Sequence, residues 1–332
     1  MKKIALTGIK PTGIPHLGNL LGAIKPALKL SEKYDARYFI ADYHALNSIK
    51  DPEILTEYTM EVAAAWLACG LDPEKVLFYR QSDIPEVFEL STMLMCFAAK
   101  GRMNGAHAYK AAVAANLEKK KDADKGINMG LFTYPVLMAA DILLFDADKV
   151  PVGPDQLQHL EITAEIARAV NFNYKKELLK IPAPLTTDKT LNVYGTDGRK
   201  MSKSYNNTIP LFAPAKKLRK KIMRIVTNSQ SVEAPKDPEN CNIFALYRLF
   251  AAPEEQEELA ARYRKGGMGW GYAKEELFRV LDRELSPYRE RYCKLMQDKK
   301  QITAALEQGA VRAGKIAARK LDYLRRAAGF AK

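Results

Sequence analysis

Two short segments carry side chains suited to phosphate chemistry. The first is Pro15-His16-Leu17-Gly18-Asn19; the second, far downstream, is Lys200-Met201-Ser202-Lys203-Ser204. The run Thr7-Gly8-Ile9-Lys10-Pro11-Thr12-Gly13 precedes the first and carries two glycines and a proline, so backbone can approach a ligand closely there. A helix predicted to start at about Gly18 or Asn19 turns free N–H groups and a partial positive charge toward the same place. His16 can donate to a phosphoryl oxygen, and Asn19 can do so without a charge. Lys203 can neutralise charge on a departing polyphosphate, Lys200 can hold the rest of it, and Ser202 and Ser204 add neutral hydrogen bonds. Positive charge preorganised at a developing anion is usually the largest single catalytic contribution.

A sheet must bring two such remote segments together. Residues 4–8, 37–42 and 76–82 are short apolar runs rich in Val, Ile, Phe and Tyr, and read as strands. Residues 20–34 and 52–69 lie between them with helical spacing, and Gly70 is a fitting stop. This alternation predicts an α/β fold, a Rossmann-type doubly wound parallel sheet that binds ligands at the carboxyl ends of its strands. Residues 150–153 read as a further strand, followed by a helix over 155–170. Residues from about 86 to 145 are helical in pattern, a helical insertion, with a charged loop over 117–125. Beyond about residue 210 helices dominate, over 215–226, 243–250, 253–264, 272–297 and 310–328. Asn206-Asn207 and Pro210 break the pattern, so a catalytic domain over 1–206 and an α-helical domain over 207–332 are expected.

The 332 residues include 52 Lys and Arg against 39 Asp and Glu, a net charge of +13. That excess favours a polyanionic partner. At 47% hydrophobic content an ordinary globular core is available. No run approaches the roughly 20 uncharged apolar residues of a membrane helix, and the start, Met1-Lys2-Lys3-Ile4, lacks a signal-peptide pattern. A cytoplasmic protein without membrane attachment is expected. Cys69, Cys96, Cys241 and Cys293 are too scattered for a metal or iron–sulfur site, so reduced, mostly buried thiols and no bound structural metal are expected.

The segments around His16 and Lys203 resemble the HIGH and KMSKS signatures of class I aminoacyl-tRNA synthetases, with Asn19 in place of the second His. Leu131-Phe132-Thr133-Tyr134-Pro135-Val136-Leu137-Met138-Ala139-Ala140-Asp141-Ile142-Leu143-Leu144 resembles the specificity helix of the tryptophanyl-tRNA synthetase family. So does Val150-Pro151-Val152-Gly153-Pro154-Asp155-Gln156-Leu157-Gln158-His159-Leu160-Glu161. Asp42-Tyr43-His44-Ala45-Leu46 and residues 266–272 fit the same family, and the resemblance covers nearly the whole chain.

The resemblance implies ATP, carried with Mg²⁺, as a substrate, and L-tryptophan and its tRNA as the other two. His16, Asn19, Lys200 and Lys203 are then catalytic. Lys10, Pro11, Thr12, Gly18 and Asn19 would meet ATP, as would Gly153, Pro154 and Asp155 at the ribose, Leu191 at the adenine, and Lys200, Met201, Ser202, Lys203 and Ser204 at the phosphates. By the same resemblance Asp141 accepts the indole N–H, Tyr134 and Gln156 hold the α-amino group, and Met138, Val150, Val152 and His44 wall the ring. Physical chemistry supports Asp141: an indole has one polar edge atom, a donor. A site built for that bond can reject phenylalanine by a factor of roughly 10⁴–10⁵, with no editing domain. Helical spacing puts Tyr134, Met138 and Asp141 on one face. His159 reads as structural, Trp66 as core, and Trp270 as a packing anchor. Two departures stand out: many family members have Gln where Lys10 stands and an aromatic where Leu6 stands. A homodimer built partly from residues 86–145 is implied, with tRNA phosphates meeting two basic helices, one with Lys216, Lys217, Arg219, Lys220 and Lys221 and one with Lys315, Arg319, Lys320, Arg325 and Arg326. Two other readings stay open: a tyrosyl-tRNA synthetase, and a paralogue that binds RNA or tryptophan without charging tRNA.

Overall fold

Among the described residues, five short strands make one parallel sheet: β1 (Ile4–Ile9), β2 (Asp35–Ile40), β3 (Leu77–Arg80), β4 (Lys149–Pro151) and β5 (Ala183–Leu185), in the order β3-β2-β1-β4-β5. The computed structural model describes residues 2–153, 156–185 and 193–330. β1 pairs with β2 from Ile4 opposite Asp35 to Ile9 opposite Ile40. The chain steps outward from β1 to β3, then returns to the other side of β1 as β4. That reversal opens a crevice beyond the carboxyl ends of β1 and β4. The expected strands are present with ends shifted by a few residues. β5 was not expected: three residues with Pro184 at the centre show no alternation, and proline is tolerated there because β5 lies at the sheet edge.

Successive strand side chains point to opposite faces, and both faces of this sheet are buried. Tyr38 and Ile40 enter one core while Phe39, between them, enters the other. The first core is covered by the helices Lys25–Lys33 and Pro52–Ala68, with Trp66 5.2 Å from Tyr38 and 6.0 Å from Phe78 between ring centres. Asp51 starts the second of these helices by accepting from the Glu53 and Ile54 N–H groups. The helices Glu86–Met95, Met129–Leu143 and Leu157–Tyr174 cover the second core.

The helix after β1 has a local irregularity with a local cause. Leu17–Asn19 runs into a π-type turn, Leu20–Ile24, before Lys25–Lys33. Pro26 has no N–H for the Gly22 carbonyl, and its ring crowds that oxygen. The preceding turn therefore widens, and the Lys25 N–H reaches back to the Leu20 carbonyl.

The helices Ala215–Met223, Asn242–Tyr247, Pro253–Lys265 and Trp270–Gln297 continue the first core, through Phe244, Tyr263 and Leu281 among others. The last helix, Lys300–Ala327, starts about ten residues before its expected onset. Gly309 interrupts the apolar spacing, and the reason lies in the packing. A β-carbon at Gly309 would overlap the Phe78 carbonyl oxygen. Here the helix crosses the β3 edge. Ile302 and Leu306 join the first core, and Ala313, Ala317 and Leu321 join the second. The helix thereby covers an edge that would otherwise offer unpaired backbone groups.

Cys69 and Cys241 are buried, as expected, but Cys96 and Cys293 are exposed; all four are free. Cys96 follows the end of the helix Glu86–Met95, and Cys293 lies on an outward face of Trp270–Gln297. Among the described residues no helix is long and apolar enough to cross a membrane.

Gly309→Ala gives a test by sign. In an uncrowded helix the change stabilises by about 1 kcal/mol; against the Phe78 carbonyl it should instead destabilise by about 1–3 kcal/mol. Denaturant unfolding that shows a gain would contradict this packing.

Candidate active site

His16 caps the helix that follows β1. Its Nδ1 accepts the Gly18 N–H at 3.1 Å, and its own backbone N–H donates to the Asn19 Oδ1 at 2.9 Å. A β-carbon on Gly18 would press on the imidazole, so the glycine permits the cap. Burial, helped by the Lys203 ammonium, pushes the imidazole down to about 4. The ring is therefore neutral at pH 7. With Nδ1 accepting, its proton sits on Nε2, free to donate.

The second segment is fastened to the first by backbone. The Leu17 N–H donates to the Ile209 carbonyl at 3.0 Å, and the Leu211 N–H donates to the Pro15 carbonyl at 3.2 Å. Lys203 Nζ donates to the Thr12 carbonyl at 2.9 Å. Burial lowers the Lys203 ammonium, and the Glu61 carboxylate opposes that effect. Within the segment Asn207, 1% exposed, acts as a strut. Its Oδ1 accepts the Ser202 N–H at 2.8 Å, and its Nδ2 donates to Asp197 at 2.7 Å and to the Lys200 carbonyl at 3.1 Å. The sequence marked Asn207 only as a break in pattern. Met201 is buried, its N–H on the Val193 carbonyl at 2.8 Å, while the Ser202 and Ser204 hydroxyls bond each other at 2.8 Å.

Two cavities open beyond β1 and β4. One, of about 470 Å³, is lined by His16, Gly18, Asn19, Gly153, Lys200 and Met201 among others. The other, of about 410 Å³, is lined by Tyr134, Met138, Asp141, Gln156, Val150, Val152 and His44, all seven residues expected at the amino acid. Leu6, Phe39, Leu131 and Ile142 add to its apolar wall. Thr7, Gly8, Pro151 and Val152 line both cavities, so the two meet there.

Asp141 is 2% exposed. His44 Nε2 lies 2.9 Å from its Oδ2, and Gln81 Nε2 donates to Oδ1 at 2.7 Å and to Oδ2 at 2.9 Å. Burial raises its carboxyl above the usual range, and the His44 and Gln81 bonds oppose that. His44 is thus more than a ring wall. Gln81 was missed, because an isolated glutamine after a strand has no signature. His159 is structural, and what it builds is part of the site: it bonds the Tyr134 hydroxyl and, at 2.9 Å through Nδ1, the Gln156 Oε1. Pro135 within the helix Met129–Leu143 cannot donate to Leu131, whose side chain lines the cavity.

Lys10 lines the Asp141 cavity, not the one at His16, and partial desolvation lowers its ammonium. Pro154, Asp155 and Leu191 lie outside the described residues. Of the basic residues expected at RNA, Arg219 pairs with Glu275 at 2.8 Å, Lys320 with Asp146 at 2.6 Å, Arg326 with Asp322 at 3.0 Å, and Arg325 with Glu89. Lys216, Lys217 and Lys220 are exposed on the helix Ala215–Met223, whose Leu218 and Ile222 are buried. Trp66 is core, 2% exposed, and Trp270 packs its ring against Tyr263 and Lys236.

The His16 imidazole should titrate near pH 4, not near 6.5. Its folded value lies below the unfolded one. The stability it contributes is therefore complete above about pH 6.5 and lost as pH falls toward 4. NMR of the His16 ring proton in the ligand-free protein reads this directly; a midpoint near 6.5 would refute the neutral, capping imidazole.

The family model described as tRNA synthetases class I (W and Y) matches residues 2–286. The tryptophan–tRNA ligase of Pseudomonas putida is 50% identical over 333 residues, covering 98% of this chain and 73% of that protein. The tryptophanyl-tRNA synthetase of Campylobacter jejuni, solved as a complex with ADP and tryptophan, superposes with a TM-score of 0.91 at 44% identity over 98% of this chain and 99% of that one. The Mycoplasma pneumoniae tryptophanyl-tRNA synthetase gives a TM-score of 0.79 at 28% identity over 99% and 98%. On the extent of the family match and the identity to these relatives, the chain belongs to the class I tRNA synthetases of the tryptophanyl and tyrosyl family.

Proposed function

We infer that the protein is a tryptophan–tRNA ligase. It couples L-tryptophan to MgATP, forming tryptophanyl-adenylate and pyrophosphate, then passes the tryptophanyl group to tRNA(Trp) and releases AMP. The observation that carries this reading is the meeting of two cavities across Thr7, Gly8, Pro151 and Val152, one floored by a buried carboxylate and the other rimmed by His16, Asn19 and Lys200. The Campylobacter jejuni relative, solved with ADP and tryptophan, supports a nucleotide beside an amino acid.

In the first step a tryptophan carboxylate oxygen bonds to the α-phosphorus, and the bond from that phosphorus to the β-phosphate bridging oxygen breaks. In the second, the terminal ribose hydroxyl attacks the acyl carbon and AMP leaves. Positioning and charge stabilisation carry the first step. Asp141 accepts the indole N–H while Met138, Val150, Val152 and His44 enclose the ring. Tyr134 and Gln156, tied through His159, orient the α-amino group. Lys10 stands in the same cavity and meets the reacting carboxylate. His16 donates from Nε2, Asn19 adds an uncharged donor, and Lys200 and Lys203 stabilise the leaving pyrophosphate. Mg²⁺ enters with ATP as part of that substrate.

Residues 1–206 form the catalytic part of this reading and 207–332 the part that meets tRNA. Exposed Phe88, Met95, Leu117 and Met129 support a homodimer face within residues 86–145. The reaction belongs in the cytoplasm, where tRNA is charged.

Asp141→Ala should raise the KM for tryptophan by about tenfold to a hundredfold, the worth of a hydrogen bond to a charged group, and leave that for ATP nearly unchanged; equal effects on both would remove its indole role. Lys203→Ala should slow ATP–pyrophosphate exchange about 10²–10³-fold with little change in tryptophan affinity. The double change Lys217→Glu and Lys220→Glu should weaken tRNA binding and spare the exchange reaction. Aminoacylation with purified tRNA tests the whole reading: charging with tyrosine, or none at all, overturns it.

A further inference from the structure

Gln81 is fully buried at the start of the short turn Gln81–Asp83 that follows β3. Its amide is oriented from both ends. Oε1 accepts the Tyr43 N–H at 3.1 Å, and Nε2 donates to both Asp141 oxygens, at 2.7 and 2.9 Å. Turning the amide over would set an N–H₂ against an N–H and an oxygen against a carboxylate. The Tyr43 N–H is itself held in place. Asp42 Oδ1 accepts the Ser82 N–H at 3.0 Å, and the Ser82 hydroxyl donates to Asp42 Oδ2. That clasp joins the turn after β2 to the turn after β3. The titratable and charged groups facing Asp141 are His44 and Asp42 from the first turn, Tyr79 from β3, and Lys10 on the cavity wall. His44 Nε2 lies 2.9 Å from the Asp141 Oδ2, and against an ionised carboxylate, which only accepts, it is the second donor.

Both contacts of Asp141 are thus donors, and the carboxylate is held as an acceptor. An unused lone pair on such a group calls for a donor in the ligand, and a ring lacking one leaves it unsatisfied. We propose that Gln81 is a specificity-determining positioning residue, which keeps Asp141 an obligate acceptor and so makes the site demand an N–H on the bound ring. This rests on tryptophan being the substrate. Without the Gln81 donor, the enclosed carboxyl takes a proton more readily and can donate as well as accept. The demand for a ring N–H then relaxes.

The test compares L-tryptophan with L-β-(benzothiophen-3-yl)alanine, in which sulfur replaces the indole N–H, by ATP–pyrophosphate exchange. Wild-type protein should favour tryptophan in kcat/KM by roughly 10³-fold or more. In Gln81→Glu, which keeps the side-chain length and the acceptor for Tyr43, the ratio should fall at least about tenfold, with the KM for ATP nearly unchanged. Two carboxyls that close cannot both ionise, so a shared proton replaces the fixed donor. Gln81→Met, with no polar group, should show the same loss, and circular dichroism identifies which variant is folded. Damage without a specific role lowers both amino acids alike, so an unchanged ratio in a folded variant overturns the proposal. Wild-type protein that activates neither amino acid overturns the tryptophan reading itself, and the proposal falls with it.

Discussion

An ionised carboxylate closed off from water is costly unless its oxygens are bonded, and the cavity walled by Met138 and Val150 is arranged around meeting that requirement at Asp141. The helix Met129–Leu143 supplies the carboxylate, the turn after β2 supplies His44, and the turn after β3 supplies Gln81. Those turns reach the same point because β2 and β3 are in register to their last residues, with Ile40 opposite Arg80. A slip between these strands would move one donor away from the carboxylate. The parallel sheet is in this sense the ruler that sets the distance between two side chains and a third.

The cavity at His16 is held differently. Its side chains rest on main chain, His16 on the Gly18 N–H and Lys203 on the Thr12 carbonyl, while the Asn207 amide holds the Lys200 carbonyl. Backbone pairs at Leu17–Ile209 and Leu211–Pro15 bring the two segments to one rim. A neutral imidazole beside two lysines suits this rim. It adds a donor there without a third positive charge repelling the others.

Much of this could be read in the sequence. The two motifs were legible because each combines residue type with position, glycines before a helix start and cations with hydroxyls; the seven residues that line the Asp141 cavity came from the family resemblance, with helical spacing adding only that Tyr134, Met138 and Asp141 share a face. What was not legible depends on partners distant in the chain. Gln81 and Asn207 are single amides with no periodic neighbours, and only the folded chain sets them against Asp141 and Ser202. The onset of the last helix was hidden because Gly309 reads as a break, whereas its reason is a carbonyl on β3. β5 was too short to alternate. Lys320 and Arg325 read as a basic face, yet their charges are spent on Asp146 and Glu89 within the chain.

The covering of β3 by the helix Lys300–Ala327 has a consequence in time. Phe78 emerges from the ribosome well before Gly309, its contact on that helix. At the usual pace of synthesis the interval is on the order of tens of seconds. Through that interval the sheet has an open hydrogen-bonding edge, and both cores lack the side chains from Ile302 to Leu324. A nascent chain of this fold is thus exposed to pairing with strands of its neighbours until its final helix docks. Chaperone demand during synthesis should then track the arrival of residues 300–327 more than the completion of either cavity.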